Sequence, residues 1–112
     1  GESDATADKL PHYRANTEAL FAFFRKVAGD PELPIIAGEL GLFPGVETNR
    51  LEYLQINDIL SAITAEDPDA MLVHSFGTTP KEDKVHFDGP SQRAMGRRYA
   101  LAWLSLVRSR NK

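Results

Sequence analysis

The hydrophobic residues of the chain fall into helical and strand-like segments separated by turn residues. Residues 11–28 predict an amphipathic helix, because apolar side chains recur at the spacing of one buried face: Tyr13, Leu20, Phe21, Phe24 and Val27. Pro11 suits the first helical turn, and Gly29 followed by Asp30-Pro31 ends the segment. A second helical period covers residues 49–65, with an inner face formed by Ile56, Ile59, Leu60 and Ile63.

Two short apolar runs bounded by helix breakers predict buried strands, one over residues 33–38 and one over residues 70–74. A last helix is predicted from about Ser91 to Arg108, and its inner face holds Met95, Tyr99, Ala102, Trp103 and Leu106. The order helix, strand, helix, strand, loop, helix favours a parallel sheet between helix layers. Because two strands cannot cover the apolar surface of three helices, we expect further strands outside this sequence.

Composition narrows the classes of function. At 112 residues the chain can form one domain with a core but not two. It contains no cysteine, which excludes disulfides, a thiolate nucleophile and a zinc–thiolate site. The net charge of −3 argues against nucleic acid as the main partner. No apolar run approaches membrane-spanning length and no signal-peptide pattern is present, so a membrane is not an expected partner.

The clearest candidate chemistry lies between the second strand and the last helix. Residues 81–92 read Lys-Glu-Asp-Lys-Val-His-Phe-Asp-Gly-Pro-Ser-Gln, so Asp83 precedes His86 by three positions. A carboxylate at this spacing can fold back and accept the Nδ1–H of the imidazole. It would then fix the tautomer and stabilise the imidazolium that forms when Nε2 takes a proton. The pattern supplies two of the three groups of a hydrolase triad.

Three ordered blocks give the chain a resemblance to a known enzyme family. Residues 1–5 read Gly-Glu-Ser-Asp-Ala, residues 33–40 read Leu-Pro-Ile-Ile-Ala-Gly-Glu-Leu, and the Asp-Lys-Val-His-Phe of residues 83–87 is followed by Gly-Arg-Arg-Tyr-Ala at 96–100. In order and spacing they resemble the C-terminal half of SGNH-type (GDSL-like) esterases, in the sialate O-acetylesterase and acetylxylan esterase branch. The first block resembles the end of that branch's Gln-Gly-Glu-Ser-Asp-Ala sequence.

The resemblance implies a three-layer α/β/α sandwich with a parallel sheet, which hydrolyses carboxylic esters, commonly acetyl groups on sugars, without a cofactor. Residues 1–112 would form the C-terminal part of one such domain, with the nucleophile-bearing N-terminal part absent from this chain. His86 is then the general base, Asp83 the carboxylate that orients it, and Glu2 a structural or substrate-binding carboxylate near the site. The expected substrate is an acetylated carbohydrate or a small ester.

The sequence lacks two elements of the family pattern. Neither the family's nucleophile block, a Gly-x-Ser sequence near the start of the domain, nor the Gln that precedes Gly-Glu-Ser-Asp-Ala in the family is present in these residues. The serine is therefore expected from an N-terminal segment or a companion chain of the same esterase, and the chain alone should be inactive. The sequence does not assign a cellular compartment, and an extracellular or periplasmic location is compatible with the resemblance.

Other candidate nucleophiles and ligands are present. Ser3 lies in a Gly-Glu-Ser sequence similar to a nucleophile block, but no strand precedes it to form an elbow. Ser75 follows the second strand without a helix immediately after it. Asp83, His86 and Asp88 could together bind a metal ion, although no further histidine or thiolate has a suitable spacing.

Two further expectations concern the surroundings of the pair. Asp88, which precedes Gly89-Pro90-Ser91, is expected to cap the last helix. Phe43, Pro44 and Val46 are apolar loop residues expected to border a substrate pocket or a subunit contact. The alternative to an esterase is a non-catalytic α/β fragment or subunit that acts by binding a partner through an exposed sheet edge.

Overall fold

The computed structural model describes residues 1–110, which form an α/β arrangement around one pair of parallel strands. A 3-10 turn, Glu2–Asp4, precedes α1 (Leu10–Ala28), β1 (Ile35–Gly38), α2 (Arg50–Glu66), β2 (Ala70–Val73) and α3 (Gly89–Arg110). The predicted order of elements is confirmed, and no boundary differs from its predicted position by more than two residues.

The two strands pair in parallel, with Ile35 opposite Ala70 and Gly38 opposite Val73. Successive side chains of a strand point to opposite faces, and the two faces carry different helices. Ile36 and Met71 pack with Val73 and with Met95 and Ala102 of α3. On the other face, Ile35 and Ala37 pack with Phe21 of α1 and Ile63 of α2. The sheet therefore lies between helix layers, as expected for an α/β/α fragment.

Arg25 of α1 joins the amino ends of both strands to the end of α2. Its guanidinium nitrogens lie 2.7 and 3.2 Å from the two carboxylate oxygens of Asp67. The same group donates to the carbonyl oxygens of Leu33, at 3.2 Å, and Asp69, at 3.3 Å. Burial opposes ionisation of Asp67, but the hydrogen bonds from Arg25 and from the Asp69 backbone N–H, together with the charge of Arg25, outweigh it and hold the pKa of the carboxyl below its usual range.

The buried face predicted for α2 is confirmed, whereas the face predicted for α1 is largely wrong. Of the five apolar residues predicted to line α1 only Phe21 is buried, and Val27 is 70% exposed. The physical reason is that α1 meets α2 along one narrow strip, and within residues 1–110 nothing covers its remaining apolar surface. Trp103 of α3 is predicted to face inward but is 48% exposed, because no described residue covers this part of the helix.

Exposed apolar side chains lie mainly on α1 and α3. Among residues 1–110, no helix combines the length and the hydrophobicity needed to cross a membrane. The exposed surface on α1 and α3 is formed by Leu20, Phe23, Phe24, Val27, Leu101, Trp103 and Leu104. Apolar surface of this kind favours association in water.

We expect the isolated 112-residue chain to self-associate, because it exposes apolar helix surface together with the edges of a two-stranded sheet. Light scattering coupled to size exclusion should show species larger than a monomer, and a hydrophobic dye should bind. A monodisperse monomer with one cooperative thermal transition would contradict this expectation.

Candidate active site

Asp83 and His86 lie together on the loop that joins β2 to α3. His86 Nδ1 is 2.6 Å from Asp83 Oδ2, and Asp83 Oδ1 accepts the backbone N–H groups of Val85 at 2.9 Å and His86 at 3.0 Å. Both side chains are about half exposed, with 58% of His86 and 46% of Asp83 accessible. An exposed pair contributes little to stability, so its main consequence is orientation: Nδ1 is engaged and Nε2 points away from Asp83.

The pair shifts the protonation of both groups. The hydrogen bond from His86, followed by those from the two backbone N–H groups, holds the pKa of Asp83 far below its usual range. The hydrogen bond to Asp83 and the charge of that carboxylate raise the pKa of His86 above its ordinary value. The arrangement can accept a proton at Nε2 while Asp83 stays ionised.

Backbone hydrogen bonds close the loop around the pair. The Lys81 N–H donates to the His86 carbonyl at 2.8 Å, and the Asp88 N–H donates to the Thr79 carbonyl at 3.0 Å. Lys84, between the two site residues, adopts a left-handed conformation with φ of 63°, which gives the turn that lets Asp83 reach the ring. These contacts therefore fix the backbone conformation of the loop that carries Asp83 and His86.

Asp88 faces the last helix rather than His86. Its Oδ1 accepts the N–H of Ser91 at 2.9 Å, and its Oδ2 accepts the hydroxyl of Thr79. This is the geometry of a helix N-cap, and it confirms the capping prediction. Within residues 1–110, no group of three or more histidine, aspartate or glutamate side chains is arranged to hold a metal ion.

Phe43 lies beneath the His86 loop. Only 2% of its surface is exposed, and its ring meets that of Phe87 edge to face, with centroids 5.9 Å apart. The prediction that Phe43 borders a pocket or subunit contact is therefore wrong, because a ring of this size is better covered by the loop than exposed to water. Gly41 permits the packing, since a Cβ at that position would overlap the Phe43 ring.

A buried amide fixes the backbone just beyond β1. Asn57 of α2 accepts the Leu40 N–H at 2.8 Å and donates to the Leu40 carbonyl at 3.1 Å. Asn57 is not among the residues predicted from the sequence, although it lies at helical spacing between buried positions 53, 60 and 64 of the same helix. A polar residue on an apolar helix face is the signal that could have revealed it.

A second histidine–carboxylate pair joins the carboxyl ends of the two strands. Glu39 follows β1 and accepts the Ser75 N–H at 2.8 Å, while His74 Nδ1 lies 3.3 Å from Glu39 Oε1. The Ser75 hydroxyl is buried and donates to the Leu40 carbonyl at 2.9 Å. The Ser75 hydroxyl is therefore engaged in a structural contact, and its burial gives no support to a role as nucleophile.

Glu2 reaches His86 from the N-terminal turn. Its Oε1 lies 3.3 Å from His86 Nε2, so the structure brings all three predicted site residues together. Tyr53 of α2 lies beside them: burial raises the pKa of its hydroxyl, and the charges of Glu2 and Asp83 raise it further. Among residues 1–110, the ring nitrogens of His86 contact the carboxylates of Asp83 and Glu2 and no serine hydroxyl.

Comparison with known proteins places the chain among carbohydrate esterases. The family described as "carbohydrate esterase, sialic acid-specific acetylesterase" matches residues 1–105. The match includes the N-terminal turn, both strands and the loop that carries Asp83 and His86. The comparison with curated proteins gives no match.

Phe43→Ala should loosen the His86 loop, because it removes the ring against which Phe87 packs. We expect a loss of about 3–5 kcal/mol in the free energy of unfolding, the usual cost of removing a buried aromatic ring. Trypsin should also cleave faster after Lys81 and Lys84, which lie in this loop. Phe76→Ala is the matched control, since Phe76 is a largely exposed loop residue. Unchanged cleavage in Phe43→Ala would show that Phe43 does not hold the loop.

Proposed function

The chain belongs to the sialic acid-specific acetylesterase family of carbohydrate esterases, and from this premise we propose that it supplies the histidine and aspartate of a Ser-His-Asp triad. The observation that carries the proposal is the 2.6 Å contact between His86 Nδ1 and Asp83 Oδ2. It engages one ring nitrogen with a carboxylate and leaves the other as the proton-transfer atom. The substrate would be an acetyl ester on a carbohydrate.

In the proposed reaction, His86 Nε2 takes the proton of a serine hydroxyl while the serine oxygen attacks the acetyl carbonyl carbon. The tetrahedral intermediate collapses as the imidazolium returns this proton to the leaving sugar oxygen, which gives the free alcohol and an acetyl-enzyme. Water, deprotonated by the same nitrogen, then releases acetate and regenerates the serine. Asp83 stays ionised and stabilises the imidazolium in both halves of the cycle.

We propose that the serine comes from an N-terminal segment or a companion chain of the same esterase. Two observations support this assignment. Gly-x-Ser occurs at residues 1–3 and 89–91, but neither directly follows a strand, as a nucleophile elbow requires. The hydroxyl of Ser75 is buried against the Leu40 carbonyl. The exposed apolar surface of α1 and α3 would suit contact with such a segment, and it equally suits the alternative of a non-catalytic subunit that binds a partner.

Serine-directed labelling tests the proposal and separates it from the alternative. The active esterase containing this chain is treated with a fluorophosphonate, digested, and mapped by mass spectrometry. We expect a single labelled serine on a peptide outside residues 1–112, and no label on the chain alone. A label on Ser3 or Ser75 would refute an external nucleophile, and the absence of any labelled serine in the assembled protein would favour the non-catalytic subunit.

His86→Ala in the active esterase should lower kcat for an aryl acetate by roughly 10³–10⁶-fold, because triad members act as a unit. Thermal unfolding should change little, since the ring is exposed. His12→Ala, an exposed histidine in the first turn of α1, is the control and should keep its activity. Turnover within a few-fold of wild type in a folded His86→Ala protein would show that His86 is not the base.

Asp83→Asn and Asp88→Asn separate orientation of the base from capping of the helix. Asp83→Asn should reduce kcat by up to about 10⁴-fold, because an amide can favour the wrong tautomer and does not stabilise the imidazolium. Asp88→Asn should keep kcat near wild type and lower the thermal unfolding midpoint only slightly, because an amide oxygen can still accept the N–H of Ser91. The reverse result, with turnover lost only in Asp88→Asn, would mean that the orienting carboxylate is misassigned.

A further inference from the structure

The proposed mechanism leaves one contact unused, and it involves the reactive nitrogen itself. Glu2 Oε1 lies 3.3 Å from His86 Nε2, the atom that must exchange a proton with the serine. A serine hydroxyl bound to that nitrogen would have to occupy the position taken by the Glu2 carboxylate. Glu2 therefore stands where it can compete with the nucleophile.

The turn that carries Glu2 is anchored to the core. Ala5, at its end, is 2% exposed and packs in a cluster with Tyr53, Ile56 and Leu60 of α2. Within the turn the Asp4 N–H donates to the Gly1 carbonyl at 2.9 Å, and the Ala5 N–H donates to the Glu2 carbonyl at 3.3 Å. The backbone of Glu2 is thus fixed relative to the His86 loop, and only its side chain needs to move to clear Nε2.

The contact depends on the protonation state of the ring. A neutral imidazole that donates Nδ1–H to Asp83 presents a lone pair at Nε2, which repels a carboxylate. The imidazolium carries an N–H at both nitrogens and can bind both acids. Glu2 therefore favours the protonated ring, and it loses its attraction once the ring becomes a base. At 3.3 Å the contact is longer than a usual charge-assisted hydrogen bond.

Two carboxylates contact His86, Asp83 from its own loop and Glu2 from the N-terminal turn, and Tyr53 of α2 interacts with the charges of both acids. Asp83 and then Glu2 raise the pKa of His86. The pKa of the Glu2 carboxyl is lowered, first by its own backbone N–H and further by His86. Tyr53 has a raised pKa and stays neutral over the relevant range. The two carboxylates therefore both favour the protonated form of the ring.

We propose that Glu2 is a positioning residue that binds the Nε2–H of protonated His86. Its carboxylate then competes with the serine oxygen for the place beside Nε2, and it leaves that place when the ring loses its proton. The role in turnover rests on the proposed esterase function, whereas the contact itself does not. In this role Glu2 is neither a nucleophile nor a substrate ligand.

The test is Glu2→Gln in the active esterase, with kcat/KM for an aryl acetate measured across pH. Activity requires neutral His86, so it falls as pH drops through the pKa of the ring. Removing the charge of Glu2 lowers that pKa, and the acid limb should move to lower pH by about 0.5–1 unit, a modest shift because the ring is exposed. Activity below the wild-type limb should rise. Glu2→Asp keeps the charge on a shorter side chain, so its acid limb should lie between those of the wild type and Glu2→Gln.

Asp4→Asn is the matched control, because Asp4 is a carboxylate of the same turn that does not contact His86. It should leave the acid limb in place. A uniform loss of kcat with an unmoved limb in Glu2→Gln would indicate a purely structural role, and a raised KM with an unmoved limb would indicate substrate binding. Either result would overturn the proposal.

A second readout does not depend on turnover. The His86 ring resonances are titrated by NMR in the wild-type, Glu2→Gln and Asp4→Asn forms of the same protein. We expect the pKa of His86 to fall only in Glu2→Gln. An unchanged pKa refutes the Glu2 contact even if the protein is an esterase. A lowered pKa in a protein without esterase activity would instead refute the proposed function and retain the contact.

Discussion

The ion pair between Arg25 and Asp67 sets the geometry on which the site depends. One guanidinium binds a carboxylate at the end of α2 and the carbonyl oxygens that precede both strands. A planar donor group with several N–H bonds in fixed directions defines a position better than a point charge does. Because the amino ends of β1 and β2 are held together, their parallel register is fixed, and their carboxyl ends emerge side by side.

At the carboxyl ends of the strands, buried polar contacts hold the backbone that follows β1 and β2 in position. Asn57 holds both backbone groups of Leu40, and Glu39 holds the N–H of Ser75. Each contact satisfies polar atoms that would otherwise be costly to bury. These contacts and the packed rings of Phe43 and Phe87 support the exposed loop that carries His86. In the proposed mechanism the exposed groups carry the chemistry, and the buried groups fix their positions.

The sequence predicted local features well and long-range contacts poorly. The α2 face and both strands follow from short-range periodicity, and the proximity of Asp83 and His86 follows from their three-residue spacing. The contact of Glu2 with His86 spans most of the chain, and no periodic pattern encodes it; only the family resemblance places Glu2 near the site. Phe43 was misjudged because a loop residue gives no periodic signal of burial. The face of α1 was misjudged because periodicity shows which residues are apolar, not which of them find a neighbour to pack against.

The pairing of Asp83 with His86 has a consequence for how such a protein can be divided. Every contact that orients the imidazole through Nδ1 comes from within four consecutive positions, Asp83 to His86. The contact order of this unit is minimal, so forming it closes only a short loop and adds little chain entropy cost. If the pair acts as the proposed acid–base unit, it can be encoded in one short segment and completed by a nucleophile from a separately folded segment. Long-range assembly would then determine only how the two segments meet, while the orientation of the imidazole is set within its own turn.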